Sequence, residues 1–448
     1  MALAWHLSLL ASVLWASASA SWAGLQSDEA ADGPGLGLVQ RSMELRGGGV
    51  GASASSGQAA RDVPLAPAVA GTNTQLREMF GLHRESHDVP QLYVDLDEEP
   101  ERRWRNVTRY YKDLGVFPAV FGAFPDIPPE QLAVIRSLKV DEDIRREIRG
   151  IVADIDHPKA TEELILAVNI GYEMSGLESF DKLLSVWSIF SPAKGCSGLL
   201  AAMPNGTVVH GRNMDYSGFE ATTPSGRVLH WPEVTAETTF LRGGKPLFLS
   251  VQWPIFVGVH TGMRFGGWTY EQNTRFHLLE PDVKYGLQHG GEGFGFVARR
   301  LLETTPDFES AVQEIYSAKF MAPMYHIMAG PGLYEGAVIT SARGGEHPSS
   351  MPLITRLSDS LPAIKDGMAY QDWKVIQTND DQGHAPLDHR RPVENAKLTQ
   401  ASQESISTSW MFNQMLDLPL FQFSTVFTTV FVPASGYHRT LAHFGSLR

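Results

Sequence analysis

The chain has 448 residues, 43% of them hydrophobic and 10% aromatic, enough to bury a sizeable core in one large domain or in two or three smaller ones. A formal net charge of -13 argues against a nucleic-acid partner. Beyond the N-terminus no stretch reaches the roughly 18 uninterrupted apolar residues of a membrane span.

Residues 1–23 read as a secretory signal peptide: the apolar run from Leu7 to Trp15 precedes the small residues Ala18, Ser19 and Ala20. Residues 24–88 form a low-complexity leader rich in Gly, Ala and Ser, as in RGGGVGASASSGQAARD, without hydrophobic periodicity. Order is expected from residue 89. QLYVDL is a strand candidate, and the acidic turn after it is placed to start a helix. From 129 to 195 the apolar spacing predicts mostly helix, in PEQLAVIRSLKVDEDIRREIRGIVADI and then ATEELILAVNIGYEMSGL. From residue 196 short β-rich runs take over: GLLAAMP, TVVHGRN, LFLSVQW, IFVGVHTG, HIMAG, EGAVIT, WKVIQTN and FSTVFTTVFV. Helical FGFVARRLLETT and DFESAVQEIYSAKF lie between them. The class is α+β, a helical part (89–195) preceding a mixed part (196–448).

Cys196, the only cysteine, sits at that seam. Secreted chains use cysteines in pairs, so a lone one is either an inert buried thiol or a nucleophile. The strand from 196 to 203 and the strand from 207 to 215 flank Pro204-Asn205-Gly206, a hairpin signal. A two-residue loop sets Cys196 opposite Asp215; a type I turn with a bulge sets it opposite Met214. Either register brings Arg212 and Asp215 beside the thiol. A neighbouring cation lowers a thiol pKa and favours the thiolate. No His/Cys metal spacing is present, and no cofactor is expected.

The chain holds 15 histidines, of which His6 would leave with the signal peptide. Protonating the other 14 would take the charge from -13 to +1, just above lysosomal pH. Asn106-Val-Thr108 and Asn205-Gly-Thr207 are glycosylation sequons expected on exposed turns. FLSVQWPIFVGVHTGMRFGGW reads as two core strands, or as the wall of an acyl channel or a membrane-docking surface.

Cys196 at a strand start, followed one hairpin later by HGRNMDY, resembles the N-terminal-nucleophile cysteine amidases, within them the acid ceramidase and N-acylethanolamine acid amidase family. VDLDEEPERRW, REIRGIVADIDHP with EELILAVNIGYEM, APMYHIMAG with EGAVITSAR, WKVIQTNDD and DHRRPVENAKL follow in family order, so the resemblance covers roughly residues 90–445. It implies an αββα sandwich and a precursor cut between Gly195 and Cys196. It also implies a helical and a catalytic subunit held together without a covalent link, with a lipid amide as substrate. The α-amine freed at Cys196 would be the general base; its pKa near ~7.7–8 lies close to that of a thiol, ~8.5. By position in the matching motifs Cys196 is the nucleophile, and Arg212 and Asp215 orient the amine and contact substrate. Asn379 is the oxyanion donor and Arg390 helps hold the site together. A lysosomal or secreted location, and peripheral membrane contact, follow from the same resemblance. The relatives' Glu in an Asn/Asp-Glu-Arg segment is Thr274 here, after Asn273, with Glu271 nearby. That departure admits a catalytically impaired lipid-binding relative beside the ceramidase and N-acylethanolamine amidase readings. The segment GLESFDKLLSVWSIFSPAKG before Cys196 is an insertion, expected to be a lid or a longer activation segment.

Overall fold

The Asn205-Gly206 tip closes the hairpin between the strands Ser197–Ala202 and Val208–Asp215. Gly206 takes φ +84°, where a side chain would strain the backbone, while Asn205 keeps a negative φ. This is the bulged type I alternative. The register pairs Ser197 with Asn213 and Ala202 with Val208, which carries Cys196 opposite Met214 rather than Asp215. The structure, a computed structural model, describes residues 84–124, 126–174, 195–216, 219–275, 280–342, 354–365, 368–382 and 388–445. The signal peptide, most of the leader and the insertion up to Lys194 lie outside the described residues.

Two largely antiparallel sheets carry the fold. The first has, among the described residues, six strands in the order Glu85–Asp88, Tyr437–Phe444, Thr425–Val432, Val208–Asp215, Ser197–Ala202 and Lys374–Gln377. The second has ten. Its centre runs Gly336–Ser341, Met324–Ala329, Thr269–Thr274, Thr261–Arg264, Lys245–Gln252 and Ala236–Arg242, and Gln91–Asp95 closes one edge. The facing sides interlock through Leu200 and Val208 of the first sheet and Tyr325, Ile327 and Val338 of the second, all buried. On the outer face of the first sheet lies the helix Thr408–Met415, and Gly211 is bare there: a Cβ would stand 2.5 Å from the Met411 sulfur. The helices Phe294–Thr304 and Phe308–Ser317 cover the second sheet. The layers are therefore helix, sheet, sheet, helix, the αββα sandwich expected.

The residues before Cys196 form the helices Arg105–Leu114, Val116–Ala123, Pro129–Ser137, Glu142–Ile155, Glu162–Asn169 and Gly171–Met174. Asp141 caps one helix by accepting from Asp143 N, and Thr161 caps another by accepting from Leu164 N. This segment is woven into both sheets. Gln91–Asp95 pairs in parallel with Ala236–Arg242, and Glu85–Asp88 pairs antiparallel with Tyr437–Phe444. Order thus begins before the expected residue 89. Glu85–Asp88 is polar and exposed along its length, so no apolar alternation announces it; backbone pairing and polar contacts such as Arg439 Nε donating to Asp88 Oδ1 at 2.8 Å hold it as a strand. Buried hydrogen bonds fasten the helices to the sandwich, among them the following. Glu147, fully buried, accepts from Arg299 Nη1 and Nη2 at 2.6 and 2.7 Å, from Trp104 Nε1 at 2.6 Å and from Arg103 Nη1 at 3.0 Å. Asn169 donates to Ile255 O at 2.9 Å and accepts from Val257 N at 2.8 Å. Tyr111 donates to Val234 O at 2.9 Å.

Two expectations are corrected. IFVGVHTG is not one strand: residues 255–260 are a connection, with Ile255 at φ +58°, and pairing starts only at Thr261. The Asn106 sequon is not on a turn. Asn106 stands in the first turn of the helix Arg105–Leu114 and its Oδ1 accepts from Tyr93 N at 3.1 Å, with Thr108 buried. Asn205 is exposed at the hairpin tip, and its Oδ1 accepts from Thr207 N and Oγ1 at 3.1 and 2.7 Å.

Candidate active site

Alternation along Val208–Asp215 sends His210, Arg212 and Met214 between the sheets, and Asn213 toward the outer helix, where it donates to Met415 O at 2.6 Å. Cys196, paired with Met214, follows the inner side. Its sulfur lies 3.8 Å from Met214 Sδ and 3.8 Å from Arg212 Nη2, and the residue is 3% exposed. The main chain at the seam turns the other way, toward Arg390 at the start of the helix Arg390–Leu398. Arg390 Nη1 donates to Asp215 Oδ2 at 3.2 Å and Ser197 Oγ at 3.3 Å, with Cys196 O at 3.5 Å. Its Nη2 donates to Asn379 Oδ1 at 2.6 Å. Asn379 stands just past the strand Lys374–Gln377, and its Nδ2 donates to Thr274 O at 2.7 Å, leaving a second N–H for another acceptor. The fold thus brings together Cys196, Arg212, Asp215, Asn379 and Arg390, although 194 positions separate Cys196 from Arg390.

Gly195 is fitted to the same cluster. A Cβ on it would lie 1.8 Å from Asn379 Oδ1 and 2.1 Å from Arg390 Nη2. No side chain fits at the residue before the thiol, because Asn379 and Arg390, two of the groups that sequence motifs nominate for catalysis, pack against Gly195.

The electrostatics differ from the sequence expectation at the thiol. Burial pushes the Cys196 pKa up; Arg212 pulls it down, but Asp215 and Glu271 push with burial. In the intact chain Cys196 is a neutral thiol, because desolvation outweighs the cation. Asp215 is lifted by burial to about 7, against the pull of Arg390, Thr425 and Arg212. Arg390 is kept charged by Asp388, whose carboxylate accepts from Nε at 3.0 and 2.9 Å and from Nη2 at 2.5 Å.

Sequence reasoning missed several members. Asp388 grips Arg390, and Thr425 donates to Asp215 Oδ1 at 2.6 Å. Asp388 lies inside DHRR, so an Asp two residues before an Arg was a readable signal; Thr425 sits in a β-branched run that gives none. Glu271, noted only as near, accepts from Arg212 Nη1 at 2.9 Å. Beside Met214 opens a narrow aromatic pocket of about 30 Å³, room for about two waters. Tyr172, Tyr216, Trp231, Trp253, Phe256 and Phe294 line it. Trp231 and Trp253 have centroids 4.4 Å apart, and Tyr216 stands edge-on to Trp253 at 5.1 Å. Trp253 and Phe256 come from WPIF. That segment is therefore part of the pocket wall, while Lys245–Gln252 and Thr261–Arg264 on either side are core strands.

Comparison with known proteins adds sequence relatives to this geometry. The Homo sapiens acid ceramidase is 25% identical over 370 residues, 79% of this chain and 85% of its own length. The Rattus norvegicus N-acylethanolamine-hydrolyzing acid amidase is 25% identical over 359 residues, 76% of this chain and 85% of its own. The chain is similar in sequence to these amidases over most of their length. A Caenorhabditis elegans N-acylethanolamine-hydrolyzing acid amidase ortholog of known structure matches 53% of this chain and 93% of its own, at 23% identity and a TM-score of 0.43. No family model matches the chain.

Proposed function

We propose that the protein cuts its own Gly195-Cys196 bond and then hydrolyses the amide of a long-chain N-acyl lipid. It is a cysteine amidohydrolase, in keeping with its similarity to an acid ceramidase and an N-acylethanolamine-hydrolyzing acid amidase. One observation carries the finer reading: Gly195 packs against Asn379 and Arg390, with the Cys196 thiol 3.8 Å from Arg212 Nη2 and Arg390 bonded to Asp215.

In the self-cleavage, Cys196 Sγ attacks the Gly195 carbonyl carbon, and its proton passes to the departing Cys196 nitrogen. The C–N bond breaks, a thioester forms, and water hydrolyses it to a Gly195 carboxylate and a free thiol. Arg390 and the second N–H of Asn379 are the donors assigned to the carbonyl oxygen, where negative charge gathers; both side chains lie against Gly195. The freed α-amine then takes the thiol proton for each later turnover. The thiolate displaces the amine of the lipid amide, which leaves with that proton, and water releases the fatty acid from the second thioester. Asp215, buried beside Arg390, is placed to hold the α-ammonium. The aromatic pocket at Met214 offers the apolar wall an acyl chain needs.

Ceramide is the first substrate reading and an N-acylethanolamine the second, since relatives of both names match equally well. Residues 1–23 and the exposed Asn205 extend the proposal to a glycosylated protein of the secretory pathway, lysosomal or secreted. The test is to incubate purified protein at acidic pH with labelled ceramide and with labelled N-palmitoylethanolamine. Wild type should release fatty acid and run as two bands in denaturant without reductant. The larger, of 253 residues (448 minus 195), should begin Cys-Ser-Gly-Leu-Leu. Cys196→Ala should stay one band and release nothing. Lipid bound without product points to the impaired-relative reading; an alanine variant still cut at Gly195 ends the nucleophile assignment.

A further inference from the structure

We propose that Glu271 is the positioning residue for Arg212, fixed from behind by His210 and seated in the space Gly198 leaves by having no side chain. The proposal rests on Cys196 being the nucleophile.

Arg212 is fully buried and its two terminal nitrogens face different ways. Nη2 is turned to the sulfurs, 3.8 Å from Cys196 and 3.2 Å from Met214. Nη1 is the anchor: it donates to Glu271 Oε1 at 2.9 Å, to Asn273 Oδ1 at 3.0 Å and to Gln272 O at 3.2 Å. Arg212 Nε has no partner among the described residues. Of these acceptors only Glu271 is charged, so it alone neutralises a guanidinium that has left water entirely. It also sets the direction in which Nη2 points, since it and Asn273 hold the opposite end of the planar group.

Glu271 is itself held at both ends. Its Oε2 is 2.8 Å from His210 Nε2, and a carboxylate can only accept, so the ring donates there. His210 Nδ1 meets Thr269 Oγ1 at 2.8 Å, and Thr269 in turn accepts from Ala329 N at 3.0 Å. Thr269, His210, Glu271 and Arg212 are all fully buried. Thr269 and Glu271 belong to the second sheet, His210 and Arg212 to the first. The chain therefore fixes the nucleophile's neighbour against the opposite sheet as well as its own. Gly198, next to Arg212 in the register, makes the room: a Cβ there would lie 2.6 Å from Glu271 Oε2 and 2.9 Å from Oε1.

The test exploits Cys196 being the only thiol, so that iodoacetamide uptake reads one site. Kinetics are normalised to the cleaved fraction. In Glu271→Gln, kcat should fall about 10- to 100-fold, because Nη2 is no longer aimed, while KM stays within about twofold. The same variant leaves Arg212 unneutralised, so the pH midpoint of alkylation should move down. In Gly198→Ala the carboxylate is displaced with its charge kept, so kcat should fall without that downward move. A purely structural role would not produce a more acidic thiol in a slower enzyme. A kcat within twofold of wild type in Glu271→Gln, an unmoved alkylation midpoint, or a rise in KM matching the loss of kcat overturns the proposal. If Glu271→Gln does not fold, an unchanged kcat in Gly198→Ala overturns it instead. If wild type hydrolyses no lipid amide yet the alkylation midpoint still shifts in Glu271→Gln, the substrate reading fails and the positioning role stands.

Discussion

At the scale of single residues, Gly195 separates the two chemistries assigned to one site. A side chain on it would run into Asn379 and Arg390 while residue 195 is bonded to Cys196. Gly195→Ala should therefore slow self-cleavage at least about tenfold, because the added carbon has to displace the groups that stabilise the intermediate. Turnover per cleaved molecule should be unchanged. A gel time course paired with lipid hydrolysis normalised to the larger band checks both halves; a variant that cleaves at the wild-type rate rules out the packing argument. Arg212 and Asp215 were legible from the Asn-Gly hairpin that carries them beside Cys196, whereas Asn379 and Arg390, ordinary for a turn and a surface when taken alone, were legible only through the resemblance of the motifs that hold them. Protonation at the site was not. Arg212 beside a thiol promised a thiolate, yet the intact chain holds a neutral thiol, since the depth of burial is a property of the fold and not of a tripeptide. Glu271 was hidden for a related reason: its meaning depends on which strand faces it across the gap between sheets.

At the scale of elements, the decisive join is between the helix Glu142–Ile155 and the helix Phe294–Thr304. Burial pushes Glu147 up, but Arg299, with Trp104 and Arg103, outweighs it and keeps the carboxylate below its ordinary value. Removing one partner of a buried pair strands the other. Glu147→Ala should cost about 3–5 kcal/mol and lower the melting midpoint visibly, whereas Arg136→Ala, which loses only a surface pair with Glu163, should cost under about 1 kcal/mol. Differential scanning calorimetry on the two variants decides it; equal shifts would remove the special role of Glu147. Helix spacing in PEQLAVIRSLKVDEDIRREIRGIVADI was readable from its caps and apolar period, and the 197–215 hairpin from Asn-Gly. The strands Ala236–Arg242 and Thr269–Thr274 were not singled out. Their inner faces carry Thr, Glu and Asn as well as apolar residues, so a hydrophobic alternation does not show.

At the scale of the whole molecule, burial has shifted the acid–base balance toward low pH. Glu173 is raised to about 7 by burial, with one oxygen accepting from Phe294 N at 2.8 Å and the other without a partner among the described residues. Asp215 and Glu394 are raised to about 7 by the same cause. A carboxyl whose folded pKa exceeds its unfolded value stabilises most when protonated, and that stability drains away as pH rises through the folded value. Glu147 and Asp388, held low by their arginines, act oppositely, but their contribution fades only below about pH 4.5. Between pH 5 and 8 the raised carboxyls lose stability as pH rises, while His260, His326 and His443, whose folded values lie below their unfolded ones, gain it up to about pH 6.5. In the uncleaved Cys196→Ala chain, Glu173→Gln should therefore shift the balance toward pH 8, raising the stability at pH 8 relative to pH 5 by up to about 3 kcal/mol. An unchanged difference between the two pH values would refute this. The histidine count pointed to an acid swing of +14. His260, His326 and His443 are pulled down by burial, the last two to about 3, and stay neutral in that window. The net charge therefore moves less than the sequence total suggests.

The two strands that precede the helices have a kinetic meaning once the chain is cut. Glu85–Asp88 and Gln91–Asp95 each close the edge of a different sheet whose other strands come from beyond Cys196. In the continuous chain those edges are sealed by a tethered neighbour at high local concentration, so folding is a first-order event independent of dilution. After the proposed self-cleavage the tether would be gone, and with no second cysteine nothing covalent would replace it. Reassembly from unfolded pieces then becomes a second-order encounter, in competition with bare sheet edges pairing among themselves. Maturation would thus exchange a protein that can refold for one whose lifetime is set by how slowly it first comes apart.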